Sequence, residues 1–245
     1  MIDRRKIFLG LAACPLCSGA VRAEDHWSYE GKAAPQNWGK LDKSFRVCSF
    51  GDQQSPIDLK DAIRAELSTL TVAWKPQPYK VANNGHTLQL DAASGDGLTL
   101  GAQIYELKQF HFHTPSEHAF DGVRLAMEAH FVHAQTSGRL AVLGVMMKAG
   151  AKNAAFSSIM EVAPRKPGIA AAKDAIDPNA FLPSDKTLYR YEGSLTTPPC
   201  SEVVDWNVFA QPIEVDAADI EAFKTIFPMN ARPLQPVNRR FLLRG

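Results

Sequence analysis

The sequence contains no long hydrophobic run and no surplus of charge of either sign. No apolar stretch reaches the roughly 18 residues that a transmembrane helix needs. Lysine and arginine together number 27 and aspartate and glutamate 26, so the formal net charge of the 245 residues is +1. Without a basic surplus there is no electrostatic footprint for nucleic acid. Repeats and long linkers are also absent, so we expect one main domain that neither binds nucleic acid nor spans a membrane.

The first 23 residues differ in kind from the rest of the chain. A basic run at residues 4–6 precedes an apolar stretch over residues 7–21, and small residues follow at the end of that stretch. This pattern predicts a secretory signal peptide over residues 1–23, with the mature domain over residues 24–245. We therefore expect a periplasmic or secreted protein.

The sequence leaves the export route open. The paired Arg4 and Arg5 resemble a twin-arginine export signal. Residues 11–14, which end at Cys14, form an alternative lipoprotein cleavage site. Pro15 directly after that cysteine argues against lipid anchoring.

Cysteine is scarce. Of four cysteines, Cys14 and Cys17 lie in the predicted signal peptide, so the mature chain retains Cys48 and Cys200. Two cysteines in an oxidising compartment allow one intramolecular bond, and we predict a disulfide between Cys48 and Cys200. The alternative is a pair of unrelated buried thiols.

Strand signals dominate the middle of the chain, and helix signals are few. Residues 98–113 are typical of one or two long strands, and residues 125–133 of another. Residues 140–148 are almost unbroken apolar sequence, which predicts a central strand buried on both faces. Helices are predicted only over residues 153–162 and 216–227. Many strands with few helices favour a large, mostly antiparallel sheet.

Strict alternation along the first long strand assigns its side chains to two faces. One face is predicted to carry Tyr105, Leu107, Gln109, His111 and His113, and the other Glu106, Lys108, Phe110 and Phe112.

Five of the seven histidines lie between positions 111 and 133. His111 and His113 share a strand face, and His130 on the next strand can supply a third ring nitrogen. Three neutral imidazoles with one open position form the ligand set of a catalytic zinc site. We read His118 and His133, which do not share that face in the same way, as structural.

Hydrogen-bond acceptors accompany two of the three histidines. Gln109 stands two residues before His111, and Glu128 two residues before His130. A zinc-bound imidazole needs an acceptor for its other ring nitrogen, which sets its tautomer and orientation. Gln109 and Glu128 are placed to supply it.

Several motifs together resemble the alpha-class carbonic anhydrases. The core of the resemblance is QFHFH at residues 109–113, SEH at 116–118 and EAHFVH at 128–133, and further motifs stand in family order at residues 54–58, 83–86, 140–144, 191–200 and 230–240. The resemblance runs from residue 26 to the C-terminus. Thr114, Pro115 and Cys200 depart from the animal enzymes and resemble the bacterial branch.

The resemblance implies a role for each matching residue. His111, His113 and His130 match the zinc ligands, with Gln109 and Glu128 as their hydrogen-bond partners. Thr196 and Glu117 match the pair that handles zinc-bound hydroxide, and His86 matches the residue that passes protons to solvent. The apolar substrate wall is matched by Val132, Val142, Leu195, Val204 and Trp206, and the polar wall that orders water by Tyr29, Asn84, Gln89 and Thr197.

Hydrogen-bonding capacity refines the expectation for Thr196, and local backbone structure refines the one for His86. An ionised carboxylate only accepts hydrogen bonds, so the Thr196 hydroxyl is expected to donate to Glu117. His86 follows Asn84 and Gly85 in a predicted turn. We therefore expect its ring to be mobile and exposed to water.

The resemblance also implies a fold and a reaction. The fold is a single β-dominated mixed α/β domain around a twisted sheet of about ten strands, with a few peripheral helices and a conical cleft. The implied reaction is reversible hydration of carbon dioxide to bicarbonate with one Zn²⁺ per chain. The resemblance also implies inhibition by sulfonamides and anions and is compatible with a homodimer.

Two alternative functions compete with this one. A zinc-free binding domain of the same fold is disfavoured by the complete histidine set, and a zinc esterase by the lack of an apparent acyl pocket.

Overall fold

A single sheet of 13 strands organises residues 27–245, the part of the chain that the computed structural model describes. The predicted signal peptide over residues 1–23, with Cys14 and Cys17, lies outside the described residues. Within them, no helix is both long and apolar enough to cross a membrane.

The strands follow one another with few helices between them. They are β1 (Ile63–Arg64), β2 (Leu70–Ala73), β3 (Lys80–Asn83), β4 (Leu88–Asp91), β5 (Gly97–Leu100), β6 (Gln103–His113), β7 (Met127–Ala134), β8 (Leu140–Ala149), β9 (Gly168–Ala171), β10 (Leu188–Gly193), β11 (Val204–Phe209), β12 (Ile213–Val215) and β13 (Leu243–Arg244). The helices are α1 (Trp38–Leu41), α2 (Val47–Phe50), α3 (Ala154–Val162) and α4 (Ala217–Ile226).

The sheet runs in the order β1-β13-β10-β11-β8-β7-β6-β4-β3-β9, with β12 beside β8 and the β2–β5 pair beside β6. Pairing is antiparallel except where β8 meets β11 and β12 and where β1 meets β13. The predicted large, mostly antiparallel sheet is confirmed.

β8 occupies the middle of the sheet, as its unbroken apolar sequence predicts. Its side chains alternate between two cores: Leu143 and Val145 enter the larger core, whereas Val142 and Met146 enter a smaller one on the opposite face. A strand with hydrophobic partners on both faces has no exposed face to fill with polar residues.

A β-bulge at Lys108 overturns the predicted faces of β6. The register with β7 passes from Leu107 opposite His133 to Gln109 opposite Val132, which leaves Lys108 as an extra residue. One inserted residue reverses the alternation on its N-terminal side. Tyr105 and Leu107 therefore join Phe110 and Phe112 in the larger core, and their predicted place beside Gln109, His111 and His113 is wrong.

The two predicted helices are confirmed, each with its cap. Asn153 Oδ1 accepts a hydrogen bond from the Phe156 amide at 3.0 Å and begins α3. Asp216 Oδ1 accepts one from the Ala218 amide at 2.9 Å and begins α4. Such caps satisfy backbone donors that have no partner within the helix. Both helices pack on the larger core, which leaves the opposite face of the sheet for the site.

Candidate metal centre

Three imidazoles converge on the face of β6 and β7 that lies opposite the larger core. His111 and His113 are two residues apart on β6, and His130 on β7 stands directly across from His111. The ring centroids lie 4.9 Å apart for His111 and His113, 5.3 Å for His111 and His130, and 4.6 Å for His113 and His130. One ring nitrogen from each histidine lies within 4.8 Å of the others, so the predicted convergence is confirmed.

In each ring one nitrogen lies near the other two histidines and is called the inner nitrogen; the second is called the outer nitrogen. The outer nitrogen of each ring faces a different kind of acceptor. His111 Nδ1 lies 2.8 Å from Gln109 Oε1, and His113 Nδ1 lies 2.8 Å from the backbone oxygen of Asn230. His130 Nε2 lies 3.0 Å from Glu128 Oε1, an ion-pair distance, but forms no hydrogen bond with it in this structure. In His111 and His113, the acceptor keeps the proton on the outer nitrogen and leaves a lone pair on the inner nitrogen.

The inner nitrogens match this arrangement. His113 Nε2 and His130 Nδ1 are buried and have no hydrogen-bond partner among the described residues. Buried polar atoms in proteins almost always have a partner. Two orphaned nitrogens that face one point are the chemistry of a metal ligand set.

Burial favours the neutral form of His111 and His113. It lowers the pKa of His111 well below its ordinary value, and the neighbouring His113 and His130 lower it further. Burial likewise lowers the pKa of His113. Metal binding requires neutral imidazole, so no proton has to leave these two rings at neutral pH.

A second group of possible ligands, formed by His118, Glu128 and His130, also meets distance criteria. His118, however, has both ring nitrogens engaged: Nδ1 with Glu128 Oε1 at 2.8 Å and Nε2 with the Tyr191 hydroxyl at 2.7 Å. With no lone pair left for a metal, His118 is excluded as a ligand. His133 is likewise engaged, with Trp74 and the Ala141 carbonyl.

Glu128 is buried and ionised. Its Oε2 accepts hydrogen bonds from the amides of Glu117 and His118, both at 2.8 Å. Burial alone would raise the pKa of this carboxyl, but the imidazoles of His118 and His130 together outweigh burial and hold the pKa well below its usual range.

The predicted hydrogen bond from Thr196 to Glu117 is not formed in this structure. Both side chains are buried. Glu117 Oε1 accepts from the Arg232 amide at 2.8 Å, whereas Oε2 accepts no hydrogen bond from the described residues. With Oε1 anchored, Oε2 is turned toward His113 Nε2 at 3.6 Å and His130 Nδ1 at 3.8 Å rather than toward Thr196.

His86 is less exposed than its turn predicts. Gly85 adopts a φ of +89° in the hairpin between β3 and β4, and Asn84 Oδ1 accepts from the His86 amide at 2.9 Å. The His86 ring is half-buried and stacks on Trp27, with centroids 3.8 Å apart and planes 12° apart. The aromatic surface of Trp27 therefore covers one side of the His86 ring, a contact that the sequence did not predict.

The residues expected to form the apolar wall lie together beside His130. Val142, Val204 and Trp206 belong to the smaller core, and Val132 and Leu195 pack against it half-buried. Val142 stands between Val132 and Trp206 in the sheet register. The Trp206 ring lies 4.8 Å from that of His130, so apolar surface begins at the edge of the histidine cluster.

Two of the polar candidates, Gln89 and Asn84, lie on the side of His111 away from His130. Gln89 on β4 is directly across from His111, and Asn84 Nδ2 lies 3.5 Å from Gln89 Oε1. Tyr29 packs edge-on against Trp27 and Trp38. Thr197 is half-exposed, and its carbonyl accepts from the Cys200 amide at 2.9 Å.

Two further residues connect the parts of the site through hydrogen bonds. The sequence analysis assigned neither of them a role. Asn230 offers its backbone oxygen to His113, its Oδ1 to the Thr114 amide at 2.7 Å and its Nδ2 to the carbonyls of His86 and Phe112. The motif at residues 230–240 was the one sequence signal for Asn230. Its backbone oxygen lies 117 positions from His113 in the chain, and such a contact leaves no local sequence pattern.

Arg232 is the second, and it connects the site to the predicted disulfide, which is confirmed between Cys48 and Cys200. Its guanidinium donates to the carbonyls of Ser55 at 2.8 Å and Cys48 at 2.9 Å. Burial lowers the pKa of Arg232 to about 10, so it stays cationic at neutral pH beside Glu117.

Comparison with known proteins gives a consistent result. The model of the eukaryotic-type carbonic anhydrase family matches residues 33–244. A carbonic anhydrase of Neisseria gonorrhoeae is 40% identical over 236 residues, which cover 95% of this chain and 94% of that protein. The alpha-carbonic anhydrase of Thermovibrio ammonificans, solved in complex with the inhibitor sulfanilamide, superposes with a TM-score of 0.86 at 40% identity and covers 89% of this chain and 98% of its own. The alpha-carbonic anhydrase of Photobacterium profundum gives 0.84 at 42% identity, over 89% and 99% of the two chains.

Proposed function

This chain belongs to the eukaryotic-type, or alpha, carbonic anhydrase family, and from that premise we propose that it is a zinc enzyme that converts carbon dioxide and water to bicarbonate and a proton. The observation that supports zinc most directly is the pair of orphaned inner nitrogens, on His113 and His130, beside a third imidazole. His111, His113 and His130 would hold the ion. In such a site zinc would lower the pKa of water toward 7 and so supply a nucleophile at neutral pH. Carbonic anhydrases are the standard example of this effect.

The residues around the ligands would keep the nucleophile oriented. Glu117 Oε2 has free lone pairs, so it can accept a hydrogen bond from the Thr196 hydroxyl once this carboxylate oxygen turns toward it. The Thr196 oxygen could then only accept, which favours ligands that carry a hydrogen. The Arg232 amide holds the other oxygen of Glu117 throughout.

The apolar wall would receive the substrate. Carbon dioxide is small and uncharged, so it needs a dry surface near the nucleophile and no ion pair. Val142 and Trp206, with Val132, Leu195 and Val204 around them, offer such a surface next to His130. The same packing excludes competing water from that side of the site.

One proton must leave for every bicarbonate formed. The ligand imidazoles are committed to their acceptors, so they cannot carry it. His86 is half-buried in the hairpin between β3 and β4, and histidine is the side chain that ordinarily titrates near neutral pH. Asn84, Gln89, Tyr29 and Thr197 would order the water between the site and His86.

The test combines metal analysis with an assay. The purified mature protein should contain one zinc per chain and hydrate carbon dioxide, lose activity on chelation, regain it with zinc, and be inhibited by sulfanilamide. Stoichiometric zinc without hydration would contradict the proposal. A rate of ester hydrolysis that exceeds hydration on the same sample would favour the esterase instead.

We also propose that the protein acts outside the cytoplasm. The basic and apolar start of the chain supports export, and so does the Cys48–Cys200 bond, because such bonds persist in oxidising compartments. N-terminal sequencing of protein from the periplasmic fraction should begin near residue 24. A start at Cys14 with a bound lipid would contradict free export.

A further inference from the structure

A cavity of about 400 Å³ lies at the edge of β10, outside the histidine cluster. β13 pairs with β10 only as far as Arg190. Beyond that point, residues 239–241 and Gln53 line the cavity together with β10. Its volume falls within the roughly 300–1,000 Å³ that is typical of small-molecule sites, and none of the three candidate metal ligands lines it.

The charged groups that line this cavity do not balance one another. They are three arginines and two acids, namely Arg190, Arg239, Arg240, Glu192 and Asp205. Both carboxylates already have a partner: Asp205 accepts from Arg190 Nε and Nη2 at 2.9 and 2.6 Å, and Glu192 pairs with Arg139 at 3.4 Å. Two cations, Arg239 and Arg240, are therefore left without an ion pair among the residues that the structure describes.

Arg240 is half-buried, yet its hydrogen bonds go to neutral groups. Its guanidinium donates at 2.8 to 3.1 Å to backbone carbonyls, those of Gln54, Glu192, Pro236 and Val237. Burial lowers the pKa of Arg240, although Tyr191 and Glu202 act in the opposite direction. A partly desolvated cation is stabilised by an opposite charge beside it, so this arrangement indicates an anionic ligand.

Arg239 and Phe241 give the cavity a cationic part and an apolar part. The Arg239 side chain is exposed and makes no hydrogen bond within residues 27–245, so its N–H donors are available to a ligand. Phe241 is 71% exposed, and Leu243 adds apolar surface to the same cavity. A single exposed aromatic ring is ordinary on a protein surface, but this ring shares one cavity with unpaired guanidinium groups.

We propose that this cavity binds a small carboxylate that carries an apolar group. Arg239 would hold the carboxylate, Arg240 would add positive charge, and Phe241 would pack against the apolar group. A guanidinium matches a carboxylate through two parallel N–H···O bonds. An inorganic oxyanion would also satisfy the arginines, but it would leave Phe241 and Leu243 exposed to water, so the lining favours an organic ligand. This binding goes beyond carbon dioxide hydration and does not depend on zinc.

The experiment is a calorimetric titration with benzoate as the probe, compared with acetate and inorganic phosphate. The mature protein is loaded with zinc and saturated with sulfanilamide, so that anions cannot bind at the metal centre. Benzoate should bind at one site per chain and more tightly than either acetate or phosphate, because only benzoate can cover Phe241. Absence of saturable benzoate binding would overturn the proposal, and phosphate binding as tight as that of benzoate would overturn the assigned class of ligand. A failure of sulfanilamide to bind would bear on the proposed zinc enzyme alone.

Three variants separate the parts of the cavity. Arg239→Gln should weaken benzoate binding about tenfold or more, the loss expected for a charge-assisted hydrogen bond. Phe241→Ala should weaken benzoate binding but leave acetate binding unchanged. Arg165→Gln is the matched control, because it removes the same charge from an exposed arginine outside the cavity, and it should leave benzoate binding unchanged. Equal affinity in Arg239→Gln and the unchanged protein would overturn the proposal; thermal unfolding checks that each variant is folded.

A second measurement needs no variant and locates the ligand directly. Nitrogen NMR of arginine-labelled protein follows the Nε signal of each guanidinium during the benzoate titration. The signals of Arg239 and Arg240 should shift and saturate together, because both groups line the cavity, whereas the Arg165 signal should not move. Equal shifts at all three arginines would show non-specific attraction of the anion and overturn the proposal.

Discussion

The backbone oxygen of Asn230 lies 2.8 Å from Nδ1 of His113, although the two residues are 117 positions apart in the chain. The segment that follows α4 thereby orients a ligand on β6. This contact completes the acceptor set, since His111 and His130 rely on side chains of their own strands. The metal centre is therefore built from both local and distant parts of the sequence.

The first prediction concerns the ligands. His113→Ala leaves two imidazoles and should lose most of the bound zinc and the activity with it. Glu128→Ala keeps three ligands but should lower affinity or activity roughly 10–100-fold, because its partner histidines lose their acceptor. Zinc content measured beside hydration checks both. Stoichiometric zinc with normal turnover in His113→Ala would show that the ligand assignment is wrong.

The second prediction concerns the disulfide. The bond closes a loop of 152 positions and lies beside Trp27 and Trp38. The chain-entropy model gives about 5 kcal/mol of stabilisation as an upper figure for such a loop. Cys48→Ala with Cys200→Ala should therefore lower the free energy of unfolding by a few kcal/mol, measured in denaturant. Thiol titration of the unfolded, unreduced mature protein should find no free thiol; two would contradict the bond.

The third prediction concerns the apolar wall. Val142 is almost fully buried between Val132 and Trp206. Val142→Tyr fills the space proposed for carbon dioxide and should abolish hydration while zinc stays bound, because no ligand or acceptor is altered. Metal analysis of the same sample provides the control. Normal hydration by this variant would place the substrate elsewhere.

The fourth prediction concerns His86. His86→Ala should lower maximal turnover in weak buffer, because proton release then lacks its carrier. Exchange between carbon dioxide and bicarbonate at equilibrium should stay nearly intact, because exchange requires no net proton release. Added imidazole should restore much of the lost turnover. Unchanged turnover in a dilute buffer that transfers no protons would exclude His86 as the shuttle.

The fifth prediction concerns acid stability and His133, whose pKa burial lowers to about 3. Its Nε2 accepts from Trp74 Nε1 at 3.2 Å, so a proton there would face another donor. Because the folded pKa lies below the unfolded value, this contribution is fully present above about pH 6.5 and is lost as pH falls toward 3. The loss should be on the order of 4 kcal/mol.

Denaturant unfolding across that pH range measures this loss. His133→Gln can still accept from Trp74 and does not titrate. Its free energy of unfolding should therefore depend less steeply on pH between 6.5 and 3. An identical slope in both proteins would show that other groups control acid unfolding.

The sequence by itself determined the parts of this protein that depend on local spacing. A His-x-His pair on one strand face and a third histidine on the next strand predicted the convergence of His111, His113 and His130. Unbroken apolar sequence predicted the central position of β8, and helix signals over residues 153–162 and 216–227 predicted α3 and α4. Two cysteines in the mature chain left one pairing to predict. In each case the signal lies within a few residues or in a count.

The tertiary structure alone decided the rest. The bulge at Lys108 reversed the faces of Tyr105 and Leu107, because one added residue changes the phase of a two-residue repeat without altering composition. The Asn230 carbonyl, the buried Arg232 guanidinium and the stack of His86 on Trp27 all depend on residues distant in sequence. Backbone acceptors are present at every position, and so a contact made through one carries no residue-specific signal until folding brings its partner to it.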